Sequence, residues 1–79
     1  MNVRLLYFAA LASAAGCDAE QVQTSCDNAA ALYDELAERH GFTLARSSLR
    51  VAVNGVFAPW EQLLREGDEV ALLPPVSGG

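Results

Sequence analysis

The chain has little that a self-contained catalyst would use. Its 79 residues hold one histidine, His40, and two cysteines, Cys17 and Cys26. No phosphate-binding Gly-Lys loop, dinucleotide fingerprint or HExxH motif occurs. Ser47, Ser48 and Ser77 have no base near them in sequence, and Asp34 and Glu38 share a helix face as solvated charges. His40 has no second ligand at metal spacing and the cysteines form no CxxC, so no metal site is expected. An enzyme acting alone is not the expectation.

Basic residues are scarce as well. Five of them stand against ten acidic ones, leaving a formal charge of −5. No cluster of positive charge offers a footprint for a phosphate backbone, which excludes nucleic acid from the expected partners. No apolar run is long enough to cross a bilayer, and no membrane role is expected. If the residues between Cys17 and Cys26 form a strand, the two lie roughly 30 Å apart. A disulfide needs Cα atoms within about 7 Å, so free thiols in a reducing compartment are expected. The opening "MNVRLLYFAALASAAGC" imitates an export signal. Its single positive charge is meagre, Ala14 stands where lipoprotein sites carry a bulky aliphatic, and cleavage would delete the first strand. The expected location is the cytoplasm.

Apolar residues are plentiful: 52% of the chain is hydrophobic and 19% charged. That composition suits one folded domain rather than disorder. A chain this short buries only a little over ~60% of its unfolded surface, so its core has to be well made.

The elements can be read from the patterning. Asn2 to Phe8 reads as a strand with apolar side chains on both faces. Ala9 to Ala15 allows a short helical turn ending at Gly16, and Ala19 to Ser25 suits an exposed second strand. Ala29, Leu32, Tyr33, Leu36, Ala37 and His40 line one stripe of a helix over 28–40, with Asp27 as its cap and Gly41 beyond its end. Glu35 and Arg39 form an i,i+4 pair in the favourable order. Leu49 to Ala58 is a hairpin around Asn54-Gly55, a pair that tolerates the positive φ of a type I′ turn. Pro59 ends the return strand; Trp60, Leu63 and Leu64 make an apolar connection; Glu69 to Leu73 is the last strand. Strand, strand, helix, strand, strand, strand with one amphipathic helix predicts an α+β fold, a mixed sheet gripping that helix.

Beyond the last strand, the final residues add nothing to a core. Pro74 and Pro75 hold the chain extended as it leaves the sheet. Val76 offers one apolar anchor, and Gly78-Gly79 make a thin end. Five residues beyond Pro74 reach at most ~17 Å, enough to place a terminal carboxylate deep in another protein's channel. That carboxylate is a poor electrophile until another enzyme activates it. Such a tail makes sense as a substrate.

With "LLYFA" near the start, the central helix, "VAVNG" and above all "GDEVALLPPVSGG" over 67–79, the whole chain resembles the small subunits of molybdopterin synthase, the MoaD family of ubiquitin-like sulfur carriers. The resemblance implies a ubiquitin-like β-grasp in a single domain, 1–79, with a flexible tail over 74–79. It implies a non-catalytic carrier whose Gly79 is adenylated, converted to a thiocarboxylate, and gives its sulfur to cyclic pyranopterin monophosphate to form the dithiolene. Pro75, Val76, Ser77 and Gly78 would enter the partner, and Phe8, Leu72 and Leu73 would form the docking surface. The implied partners are the large catalytic subunit, in a heterotetramer, and an adenylyltransferase. No cofactor would be bound, ATP being used by the activating enzyme. Ala12-Ser13-Ala14 stands where family members often carry an Arg-Glu pair, and Leu72-Leu73 where many have aromatics. The alternatives are a carrier for thiazole or another sulfur pathway, and a ubiquitin-like protein modifier.

Overall fold

Alternation decides which side chains the first strand buries. In β1 (Asn2–Tyr7), Val3, Leu5 and Tyr7 are no more than 2% exposed, while Asn2 and Arg4 face solvent and Leu6 is half-buried. The strand thus has one core face rather than two, and it stops before Phe8. The structure is a computed structural model that describes residues 1–75; Val76, Ser77, Gly78 and Gly79 lie outside the described residues.

The chain continues through α1 (Ala10–Ala15), β2 (Ala19–Gln23), α2 (Ala29–His40), a 3-10 turn (Arg46–Ser48), β3 (Arg50–Val53), β4 (Val56–Ala58) and β5 (Glu69–Leu73). One five-stranded sheet runs in the order β2-β1-β5-β3-β4. The central strand β5 pairs in parallel with its neighbour β1, and every other pair is antiparallel. Parallel neighbours need a crossover, and here it carries α2 over one face. Ala29, Leu32, Tyr33 and Leu36 of α2 share a core with Val3, Leu5, Tyr7, Val22, Val51, Val70 and Leu72 of the sheet. This is the expected mixed sheet packed against one main helix, a ubiquitin-like β-grasp.

The helix cap differs from the expectation. Asn28, not Asp27, is the N-cap, and its side-chain oxygen accepts from the Ala31 N–H at 2.8 Å. The reason is tertiary: the Asp27 carbonyl already accepts from Leu64 N–H, and Asn28 bridges to Leu63. The 59–64 connection then supplies carbonyls from Gln62 and Trp60 to the Ala29 and Ala30 N–H groups. Three of the helix's otherwise unpaired first N–H groups, those of Ala29, Ala30 and Ala31, are satisfied this way, and the Leu32 N–H makes the first intrahelical bond, to the Asn28 carbonyl. At the far end Gly41 takes φ 75° and closes the helix on the Ala37 carbonyl.

The hairpin forms as the sequence predicts, although β3 begins at Arg50 rather than Leu49. Asn54 sits at φ 53° and Gly55 at φ 84°, joining the paired residues Val53 and Val56. The second strand is shorter than expected, ending at Gln23. Thr24 turns inward there, 5% exposed, and donates to Glu35 at 3.1 Å, so the strand pattern stops where a side chain is drawn to the helix.

Candidate functional site

The C-terminal tail leaves from the middle of the sheet. β5 is held on both sides, by β1 in parallel and by β3 in antiparallel pairing, so the point where Pro74 departs is fixed. Pairing across strands aligns side chains on a common face. On the face away from α2, the register places Ala19, Leu6, Ala71, Ala52 and Phe57 in one row across all five strands. One step toward the tail lie Leu73 and its partner Arg50, whose guanidinium sits 5.1 Å over the Phe57 ring. One step away from the tail the row turns polar, with Arg4 and Glu69 paired at 3.8 Å. An apolar patch therefore occupies the tail end of the outer face, with Phe57 63% exposed.

Two of the three expected docking residues belong to this end. Phe8 is 44% exposed just beyond β1. Leu73 is half-buried and shares the outer face. Leu72 does not belong there: it is 1% exposed and packs in the core. Successive strand residues point to opposite faces, so two adjacent leucines cannot both serve a surface. Pro75 is exposed at the tail's root, while Val76, Ser77, Gly78 and Gly79 fall outside the described residues.

Beneath the same end, on the helix side, three titratable side chains meet. The Tyr7 hydroxyl donates to Glu20 Oε2 at 2.5 Å, and His40 Nε2 lies 2.6 Å from that same oxygen. Tyr7 and His40 also pack edge to face with ring centroids 5.7 Å apart, and Phe42 closes the group at 5.7 Å from Tyr7 and 5.4 Å from His40. Burial works against ionising Glu20, but hydrogen bonds from Tyr7 and His40 and the charges of His40 and Arg39 outweigh it and hold the carboxyl below its ordinary value. Burial, then the Glu20 carboxylate, pushes the Tyr7 phenol far above its own. The cluster joins β1, β2 and α2. No spacing in the sequence relates residues 7, 20 and 40, which is why a sequence reading leaves His40 as a plain helix-end residue.

Neither cysteine is placed for chemistry. Both are free and half-buried. The Thr24 hydroxyl favours the Cys26 thiolate, yet burial and the Glu35 carboxylate prevail and keep the thiol above its ordinary value, which opposes nucleophilic use. Among the described residues no group of three His, Cys, Asp or Glu side chains is gathered to hold a metal ion, and no helix is long and apolar enough to cross a membrane.

Known proteins share this arrangement. Residues 5–79 match the ThiS family. The chain is 34% identical over 80 residues to the molybdopterin synthase sulfur carrier subunit of Haemophilus influenzae, covering 98% of this chain and 99% of that protein. Among solved structures, SAMP1 from Haloferax volcanii superposes with a TM-score of 0.82 at 30% identity, covering 100% of both chains. A putative molybdopterin converting factor subunit 1 from Pyrococcus furiosus does so with a TM-score of 0.79 at 28% identity, over 96% of this chain and 99% of that one. With the β-grasp sheet in place, the outer apolar patch at its tail end and the match continuing through the last glycine, the chain belongs to the ThiS family.

Proposed function

We propose that this protein is the sulfur carrier subunit of a molybdopterin synthase, a cytoplasmic protein that donates sulfur without being a catalyst itself. The observation that carries this reading is the full-length similarity to proteins named molybdopterin synthase sulfur carrier subunit. In this reading the Gly79 carboxylate attacks the α-phosphate of ATP on an adenylyltransferase, releasing pyrophosphate and forming an acyl-adenylate. A sulfur nucleophile then displaces AMP and leaves a thiocarboxylate. Pro75, Val76, Ser77 and Gly78 thread the tail into the large catalytic subunit, in a heterotetramer, where the sulfur passes to cyclic pyranopterin monophosphate and builds the dithiolene. The carrier binds no cofactor of its own; ATP belongs to the activating enzyme. The outer patch, with Phe8, Leu73 and Phe57, is the surface that docks the partners. Its exposed aromatics suit an interface centre, where such side chains are enriched.

The test is intact mass after incubation with the activating enzyme, ATP and a sulfur donor. Wild-type chain gains the mass of sulfur for oxygen. Deleting Gly79, or adding one residue after it, abolishes both that gain and molybdopterin synthesis. If the extended chain supports full activity without being trimmed, the carrier reading fails.

A second reading has support of its own, because SAMP1 is a small archaeal modifier protein and this chain is 30% identical to it. As a modifier, the chain would join its Gly79 to a lysine. It contains no lysine itself, so any isopeptide bond must lie on another protein. Conjugates recovered with Gly79 on lysine side chains would favour the modifier; a free thiocarboxylate favours the carrier.

A further inference from the structure

Phe8 lies between two buried fixed points. Before it, Tyr7 is 2% exposed, donates its N–H to the Asp18 carbonyl at 2.8 Å and its hydroxyl to Glu20. After it, Leu11 is 2% exposed in the same core. Only residues 8, 9 and 10 join them. They do so in a tight turn closed by the Leu11 N–H on the Phe8 carbonyl at 3.1 Å, and the Ala9 carbonyl accepts from Ser13 N–H as α1 begins.

That turn drives Ala9 to φ 51° and ψ −124°. Glycine adopts such a conformation freely, whereas a Cβ makes it strained. The other residues with positive φ are Asn54, which tolerates the left-handed region, and four glycines. Ala9 alone among the described residues is neither. A strained residue persists only where its surroundings over-determine it, and such residues gather at binding surfaces. Here the strain falls directly beside the exposed aromatic. Relaxing Ala9 to a right-handed conformation would rotate the Phe8–Ala9 peptide, and with Tyr7 and Leu11 held in the core the change is taken up at Phe8 and re-aims its ring.

We propose that Ala9 is a positioning residue: its left-handed turn holds Phe8 outward as the fixed anchor by which the large synthase subunit docks. The inference rests on the sulfur-carrier reading and names a determinant of its partner surface. The anchor adjoins the apolar patch: Phe8 follows directly on β1, whose Leu6 lies in the outer row and whose Tyr7 pairs with Leu72, the residue before Leu73. The partner chemistry it fits is an apolar socket large enough for one aromatic ring. Fixing the ring before encounter removes the ordering term that a mobile side chain would impose on binding.

The experiment measures the dissociation constant for the purified large subunit by calorimetry, with melting temperature read in parallel. The variants are Ala9→Val, Ala9→Gly, Phe8→Ala and the double variant Phe8→Ala with Ala9→Val. A β-branched residue cannot hold the turn, so Ala9→Val weakens binding by about tenfold or more when Phe8 is present, the scale of a misplaced aromatic anchor. On the Phe8→Ala background the same change adds less than about threefold, because the group it positions is gone. Ala9→Gly keeps the turn, melts no lower than wild type and retains affinity. Equal losses on both backgrounds overturn the proposal, as does a loss in Ala9→Gly comparable to that in Phe8→Ala. Should Ala9→Val fail to fold, Ala9→Leu, which strains the same turn with a side chain unbranched at Cβ, is read on both Phe8 backgrounds against the same outcomes. Phe8→Ala binding like wild type while Gly79 still accepts sulfur removes the anchor and spares the carrier. Failure of the wild-type chain to bind the large subunit at all removes the carrier reading itself.

Discussion

Glu20→Gln tests whether the cluster of Tyr7, Glu20 and His40 holds the tail end of the fold together. The substitution keeps the size of the side chain and one carbonyl oxygen, but removes the charge on which two short contacts converge. A hydrogen bond to a charged group contributes about 1.5–3 kcal/mol. Two that share one oxygen do not add fully, and Glu20 is 25% exposed, so the expected loss is about 2 kcal/mol. In a domain of this size each kcal/mol moves the melting temperature by about 4–8 °C, which makes the fall about 8–16 °C at neutral pH. The pH dependence carries the sharper test. Glu20 titrates below its ordinary value of 4.5 in the folded chain. A carboxyl with a depressed folded value stabilises above the unfolded value, and that stability is lost as pH falls through the folded one. Wild type and Glu20→Gln therefore differ most above pH 4.5 and converge on acidification below it. Thermal unfolding followed by circular dichroism between about pH 3 and 8 reads both quantities. A difference that stays constant across that range would mean that Glu20 acts through packing and not through its charge.

Two further expectations concern the scaffold. Leu36 is 0% exposed at the centre of the helix's buried stripe, so Leu36→Ala should lower stability by about 2–5 kcal/mol in chemical denaturation, and a loss below about half a kcal/mol would show that the face is not packed. Asn54→Gly keeps the positive φ of the hairpin turn but deletes the side-chain bonds to Asp68 Oδ1 and Glu69 N–H, both 2.9 Å. It should cost about 1–3 kcal/mol in the same assay, and no loss would show that the backbone turn alone holds the hairpin to the 65–68 loop.

Much of this was legible in the sequence because it depends on local pattern. The helix stripe, the Asn-Gly turn and the glycine beyond His40 each obey rules that act within a few residues. The cap does not: Asp27 and Asn28 are both good caps, and the choice is made by a carbonyl and an N–H from the 59–64 connection, far away in the chain. The cluster under the tail is equally distant in sequence, and so is the row of five outer-face residues, which exists only once the strand order is known. Local rules also miss Ala9, because nothing about an alanine announces a positive φ. It takes the buried neighbours Tyr7 and Leu11, fixed by the rest of the core, to impose it.

Leu72 and Leu73 show where a sequence reading must fail even when the family is recognised. Both are leucines at the end of an apolar strand; alternation says that they part, but the sequence does not say which of the two turns inward. Their fates are set by which face of β5 meets α2, and the pairing Tyr7↔Leu72 against Val51↔Leu72 settles it by placing three inward side chains in line. Leu73 is then on the outer face with Arg50 and next to the departing tail. The consequence is functional. With Leu72 committed to the core, a docking surface at this end, as proposed above, draws on the other parity, which supplies Leu6, Ala71, Ala52 and Phe57, with exposed Phe8 beside them. In the proposed role, a partner reading this surface would meet an apolar face that ends where Pro74 leaves the sheet, so one docking contact and the root of the tail are fixed relative to each other by the pairing of β5.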